Sequence, residues 1–472
     1  MKKILLITLS IFLVNCSNED YEELNRDPNN PTEVEAGQLF AASTKTLFDL
    51  IESTNVNRNV FRLFAQYWTQ TTYTDESNYD LVERNIPRYH WNTIYRNVLF
   101  DLKDAKAGVG EDAYKLAQIE VLEVYAWQIL VDAFGDVPYT EALKSKDGSY
   151  LPKYDDDAAI YKDLLIRLES AITSLSGSSG SGFSGFDILY NGDRSAWSKF
   201  ANSLKLKLGI RLADVDAATA KTAVETAVTA GVFTANSDNA KLTYEGSPPN
   251  TNPLWVDLVQ SNRNDFVPAN TLVDYMNELN DPRSDIFFDP SSKIGGVYKG
   301  GTYGEQSSYG AHSHLGAQLL VPNFRGVIMD FSEVSFNLAE AAERSWTTGD
   351  TAENHYKAAI TANFIDWGLS ESDATVYLAK PEVAYTTATG TWKEKIGKQY
   401  WLAMYNRGFE GWYVYRKFDA PKLNEAATAK EPVPKRYTYP LSEQSLNATN
   451  WKAATNDGEK DKKSESVFWD KN

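Results

Sequence analysis

Cysteine, histidine and methionine are scarce in this chain: one, four and four in 472 residues. A single cysteine rules out any disulfide within the chain, so the fold stands on its core alone. The histidines offer little material for a metal site. Only His312 and His314, in "HSH", lie close in sequence, and alternate residues of an extended segment share a face. No third ligand sits nearby, so a solvated loop pair is the expected reading. A nucleophile elbow, a zinc motif and a glycine-rich phosphate loop are all missing, and no cofactor is expected. Positive charge is short too. With 47 Lys and Arg against 64 Asp and Glu, the net charge of -17 argues against nucleic acid and against a basic patch on anionic lipid. Long apolar runs are lacking: none approaches the roughly 20 residues of a transmembrane helix. The body is therefore expected to be exported and soluble.

What is present begins at the N-terminus. Lys2 and Lys3 precede an apolar run, Ile4 to Val14, interrupted only by Thr8 and Ser10, the layout of a secretory signal over residues 1–15. Leu13 and Val14 ahead of Cys16 resemble the lipobox of bacterial lipoproteins, with Asn15 where that box has Gly, Ala or Ser. Cys16 is thus expected to carry the acyl chains and to be the whole membrane attachment. Each buried methylene adds about 0.8 kcal/mol, and two chains anchor stably. Residues 16–35 are acidic, rich in Asn and Pro and too poor in apolar residues to fold alone, which marks a tether. "SNEDYEE" within it resembles the acidic signal that sends some Gram-negative lipoproteins to the outer face of the outer membrane.

Helical periodicity dominates the rest. "AYKLAQIEVLEVYAWQILVDAF" spaces Leu116, Ile119, Leu122 and Trp127 at helical steps, and "AAIYKDLLIRLESAITSL" does so through Ile160, Leu164, Leu168 and Ile172. "AWSKFANSLKLKLGIRLADVDAATAKTAVETAVTAGVF" reads as helix, Asp-marked turn, helix, and "VSFNLAEAAERSWTTGDTAENHYKAAITANFIDWG" repeats the plan. Hairpins of this size cannot bury their apolar faces singly, so they are expected to stack in the manner of tetratricopeptide repeats. The acids of "DDD" at Asp155 allow a contribution to a calcium site, but ahead of "AAIYKDLL" a helix cap is favoured. "SGSSGSGFSGFD" reads as a flexible loop and "YNGDR" as a tight hairpin turn. Residues 241–322 form the largest irregular region, long enough to be functional.

Six stretches in order resemble the SusD/RagB family of nutrient-binding outer-membrane lipoproteins: "FGDVPYTEA", "AWSKFANSLKLKLGIRLA", "NDPRSDIFF", "FSEVSFNLAEAAERSW", "FEGWYVYRKF" and "YTYPLSEQSLN". Arg416 is followed by Lys417 where related sequences tend to pair arginines. The resemblance implies an all-α, mainly helical fold of tetratricopeptide-like helical hairpins with a loop-rich face and a few short strands, one domain over residues 36–472. It implies a binding protein rather than an enzyme, seated as a lid on a SusC-like TonB-dependent barrel and delivering an oligosaccharide, or a peptide as in the RagB branch. A protein-interaction scaffold of tetratricopeptide type is the remaining alternative. Aromatics among amides and hydroxyls suit a sugar, which offers one apolar face and a ring of hydroxyls. On that chemistry Trp68, Tyr73 and Tyr79 are ligand-binding candidates, with Trp255, Tyr298, Tyr303 and Tyr309 from the irregular region.

Overall fold

The computed structural model describes residues 34–177, 179–429 and 431–471. The signal, Cys16 and the tether up to residue 33 lie outside the described residues. Ala36–Glu52 (α1) packs on a helical stretch formed by Ile86–Asn92 (α2), a π-helical segment Thr93–Leu99, and Phe100–Gly108 (α3). Ala113–Phe134 (α4) and Asp157–Ser176 (α5) make the first long hairpin, Arg194–Leu212 (α6) and Ala217–Ala230 (α7) the second. After the irregular region, which contains Asn270–Leu279 (α8), come Phe331–Glu343 (α9) with Ala352–Asp366 (α10), then Glu371–Leu378 (α11), Trp392–Ala403 (α12) and Gly408–Phe418 (α13).

The hairpins stack as the periodicity predicts: α5 lies on α6, α6 on α9, and α9 on α12. Aspartate starts many of these helices. The carboxylates of Asp112, Asp156, Asp193, Asp216 and Asp330 accept N–H bonds at the first turns of α4, α5, α6, α7 and α9, each cap contributing about 1 kcal/mol. Part of the acidity of the chain is thus spent on ending and restarting helices. Gly209 lets α6 approach α7, since a Cβ there would meet Val224 at 3.0 Å and Ala223 at 3.2 Å.

α6 is enclosed on nearly every side, which carries Lys207 and Arg211 into the interior. There Lys207 pairs with Glu410 at 2.5 Å and Glu333 at 2.9 Å, and Arg211 with Asp132 at 2.6 Å. Arg407 bonds Asp330 at 3.1 Å and also Glu333. Lys417 reaches Asp214 at 2.6 Å, so it fills the ion-pair role that the Arg-Lys sequence leaves to it. Charges so buried persist only because each has a counter-charge.

Four short strands stitch the irregular region to the helices. Trp68–Gln70 (β1) pairs antiparallel with Phe266–Pro268 (β3), and Ala240–Leu242 (β2) with Gly326–Met329 (β4). The buried apolar side chains of helices and loops join in one cluster. Two turns differ from their sequence reading. The Ser/Gly stretch is pinned: Ser181 bonds Asp112 through its N–H and hydroxyl, and Phe183 stacks on Phe40 at 4.3 Å. "YNGDR" is tight, with Asn191 and Gly192 at positive φ, but it feeds the Asp193 cap of α6 rather than a second strand.

Candidate functional site

α2 presents Ile86, Pro87, His90 and Trp91 to the core. His90 packs among Phe61, Phe409 and Tyr437, and neither ring nitrogen has a hydrogen-bond partner among the described residues. Burial pushes its pKa down to about 3, so it stays neutral and serves as core filler. With that face fixed inward, the opposite face lines a cavity of about 430 Å³. Two rows at four-residue steps form the wall: Arg84, Arg88, Asn92 and Arg96, and beside them Asn85, Tyr89, Thr93 and Asn97. Such rows drift around an ordinary α-helix. The wider turn of the π-helical segment Thr93–Leu99 reduces the drift and keeps Arg96 and Asn97 in line. Asn57 closes the far side.

This cavity continues in both directions. Through Tyr89, Thr93 and Asn97 it shares its wall with a recess of about 270 Å³ that reaches Lys45, Asp49, Arg58 and Asp257. The far wall of that recess includes a second π-helical segment, Val256–Gln260, so two such segments, which recur at functional sites, face one recess. Through Arg84 the cavity joins a recess of about 190 Å³ lined by Tyr73, Gln70, Arg263 and Asp265. The three form one groove.

The groove's charges are unevenly spent. Asp257 accepts from Ser53 Oγ, Thr54 N and Asn55 N at 3.0 to 3.1 Å. Asp49 holds Lys45 and the Tyr244 hydroxyl, and Asp265 holds Arg263 at 2.7 Å. Each carboxylate of the groove is therefore already bonded within the fold. Arg84 bonds the buried Glu76. Arg58, Arg88 and Arg96 are exposed and have no carboxylate partner among the described residues, and Arg58 lies 5.2 Å from the Tyr89 ring centroid. The arrangement offers guanidinium and amide donors around one aromatic face, which is binding chemistry.

Of the seven aromatic candidates, only Tyr73 faces this groove; it is 70% exposed. Trp68 is fully buried in β1, its Nε1–H donating to the Tyr405 hydroxyl at 3.2 Å. Tyr303 is buried with its hydroxyl on the Leu63 carbonyl at 2.6 Å, and Tyr298 is buried with its hydroxyl on Asp285 at 2.5 Å. Tyr79 is buried beside Tyr303, accepts from Gln66 and forms the floor of a different cleft. These four are core residues rather than an exposed ligand surface, so removing Tyr79 or Tyr303 would open the core. Trp255 and Tyr309 are half-buried and do not line the groove; Tyr309 stacks on His314 at 3.8 Å. His312 and His314 both bond backbone carbonyls, as a loop pair does.

Sequence reading missed Arg88, Tyr89, Asn92, Arg96 and Asn97. Their signal is the four-residue recurrence in "RNIPRYHWNTIYRN", where RN, RY, NT and RN each follow four positions after the last. A second open cleft, about 740 Å³, lies between Tyr79, Tyr415 and the loop from Asp419 to Val433, and it carries Glu394, Asp419, Glu425 and Glu431. At the start of α5 the cap reading of the aspartates holds for Asp156. Asp155 accepts from the Tyr139 and Thr140 N–H groups, while oxygens of Asp136, Asp156 and Asp157 lie within 4.8 Å of one another.

The family described as "Starch-binding associating with outer membrane" matches residues 28–440. Among solved structures, a chitin-binding protein is 26% identical with a TM-score of 0.81, covering 93% of this chain and 100% of its own. A chitin-binding SusD homologue from Flavobacterium johnsoniae is also 26% identical, with a TM-score of 0.77 over 92% and 99%. A SusD-like protein from Bacteroides thetaiotaomicron, 23% identical with a TM-score of 0.79 over 93% and 99%, shares the fold. Among curated proteins the chain has no significant match.

Proposed function

The chain belongs to the SusD-like family, and from that premise we propose that it is a surface lipoprotein that captures an oligosaccharide in the groove of Arg88, Tyr89, Asn92 and Arg96 and passes it to a SusC-like TonB-dependent barrel. The observation that carries the ligand site is the pair of polar rows along α2 and the π-helical segment, ordered by a buried opposite face, in which Arg88 and Arg96 have no carboxylate partner among the described residues. Chitin binding by two relatives supports a carbohydrate ligand. Cys16 is the proposed anchor, and the acids that follow it the proposed signal for display outside the cell. No chemical step is proposed, because the groove's carboxylates are engaged.

The test is calorimetry of the full-length protein against panels of glycans and peptides, with Tyr89→Ala and Asn92→Ala as variants. Loss of a stacked ring should weaken binding several-fold, about 0.5–1.5 kcal/mol beyond lost area. A glycan that binds both variants as tightly as the parent would place the site elsewhere. A peptide that binds while every glycan fails would favour the RagB-like reading, since asparagine amides also pair with peptide backbone. Cys16→Ala should release the chain from membranes, and gentle extraction of the parent should bring down a large barrel in near-equal amount.

A further inference from the structure

We propose that the groove selects anionic oligosaccharides, glycans bearing uronate carboxylates or sulfate esters, over neutral ones. The inference rests on the groove being the ligand site and names the class of sugar it takes. The central cavity is lined by three arginines, four asparagines, a threonine and a tyrosine, with no carboxylate among the described residues. In a chain of net charge -17 this is a local reversal of sign. Glu83 is exposed nearby in sequence but does not line the cavity.

A neutral sugar presents hydroxyls that donate as readily as they accept, so a site made for it needs strong acceptors, and aspartate or glutamate supplies them best. Here those acceptors are absent from the centre and already bonded at the margins, as Asp257, Asp49 and Asp265 are. Donors are in surplus. Arg58, Arg88 and Arg96 present planar forks whose geometry matches a carboxylate or a sulfate oxygen pair, and none has an ionic partner among the described residues. Arg84, held by Glu76, sits one turn before Arg88 along the same row. The Tyr89 ring in the second row supplies the flat surface that keeps the ligand a sugar rather than a bare anion.

The experiment measures binding of the full-length protein to three oligosaccharides of matched length: an oligogalacturonate, a sulfated galactan fragment and a neutral chito-oligosaccharide. At least one anionic ligand should bind roughly tenfold or more tightly than the neutral one. Its advantage should shrink on raising salt to about 0.5 M, because exposed charges are screened. Which of the two binds separates carboxylate from sulfate recognition. Arg88→Gln and Arg96→Gln should each cost the anionic ligand roughly fivefold or more and the neutral one clearly less, while leaving melting temperature unchanged. If the neutral glycan binds best, is lost in Tyr89→Ala and ignores both arginine variants, the groove stands and the anionic selection is overturned. If an anionic glycan binds but neither Tyr89→Ala nor the arginine variants matter, the groove itself is the wrong site and both readings fall. Absence of binding by all three overturns both as well.

Discussion

Arg407 and Arg88 carry the same guanidinium into opposite surroundings. Arg407 is buried beneath α9, bonded to Asp330, Glu333 and the Ile328 carbonyl. Burial opposes its charge, yet Glu333 and Asp330 outweigh burial and push its pKa up. Arg88 stands in the open groove with no such partner among the described residues. The first arginine has its electrostatics settled within the fold, and the second leaves them open for a ligand. Stability and binding are therefore expected to separate cleanly when these residues are changed.

The largest effect should follow Arg407→Met, which leaves buried Asp330 without its cation and Glu333 with Lys207 alone, and should cost about 3–5 kcal/mol in chemical denaturation. A loss near zero would mean that the buried network is dispensable. Next comes a pair of tyrosines that sequence places in the same role. Tyr303→Ala opens a core cavity and should cost about 3 kcal/mol, whereas Tyr73→Ala should stay within about 0.5 kcal/mol. Equal effects from the two would erase the distinction between core and groove.

Asp157 is smaller and turns the comparison around: a buried carboxylate held by the Phe468 N–H rather than by a cation. Burial, then the nearby Asp136, raise its pKa to about 7 from 3.8. The native state thus binds this proton more tightly than the unfolded chain, and stability should fall as pH rises from about 4 to about 7, then level off. Asp157→Asn should flatten that slope, with about 2 kcal/mol more stability than the parent near pH 8 and little difference near pH 4. A parent whose stability does not decline across that range would contradict it. The smallest stability effect belongs to Arg88→Gln, expected within about 0.5 kcal/mol by the same denaturation, since it removes an exposed charge. A larger loss would show that Arg88 is committed to the fold after all.

The hairpins were legible because a helix buried on one side must repeat its apolar residues at helical steps, and Ile119, Leu122, Ile160 and Leu164 do. Their starts were legible too where aspartate stands ahead of the run, as Asp156 does. The groove was not, for two physical reasons. Polar neighbours do not fix which way an aromatic points: around Trp68 and Tyr79, Gln70, Glu76 and Ser77 turn inward and bond one another, so the polarity of that stretch is a buried network. Composition misled as well. A net charge is an average, and it gives no sign of α2, where arginine and asparagine share one helix face. The recurrence that marks this face is in the sequence, but its inner positions Ile86, His90, Trp91 and Ile94 are buried and give no sign that the outer face lines a cavity.

The π-helical segment after α2 makes the groove sensitive to chain length in a way its side chains do not reveal. Deleting one residue between Asn92 and Arg96 would let the helix relax to the ordinary pitch, turning Arg96 and Asn97 together by roughly 100° relative to Arg88. Chains that differ here by a single-residue insertion or deletion would then present a different wall to the groove, a change of surface that takes one codon rather than a rebuilt cavity.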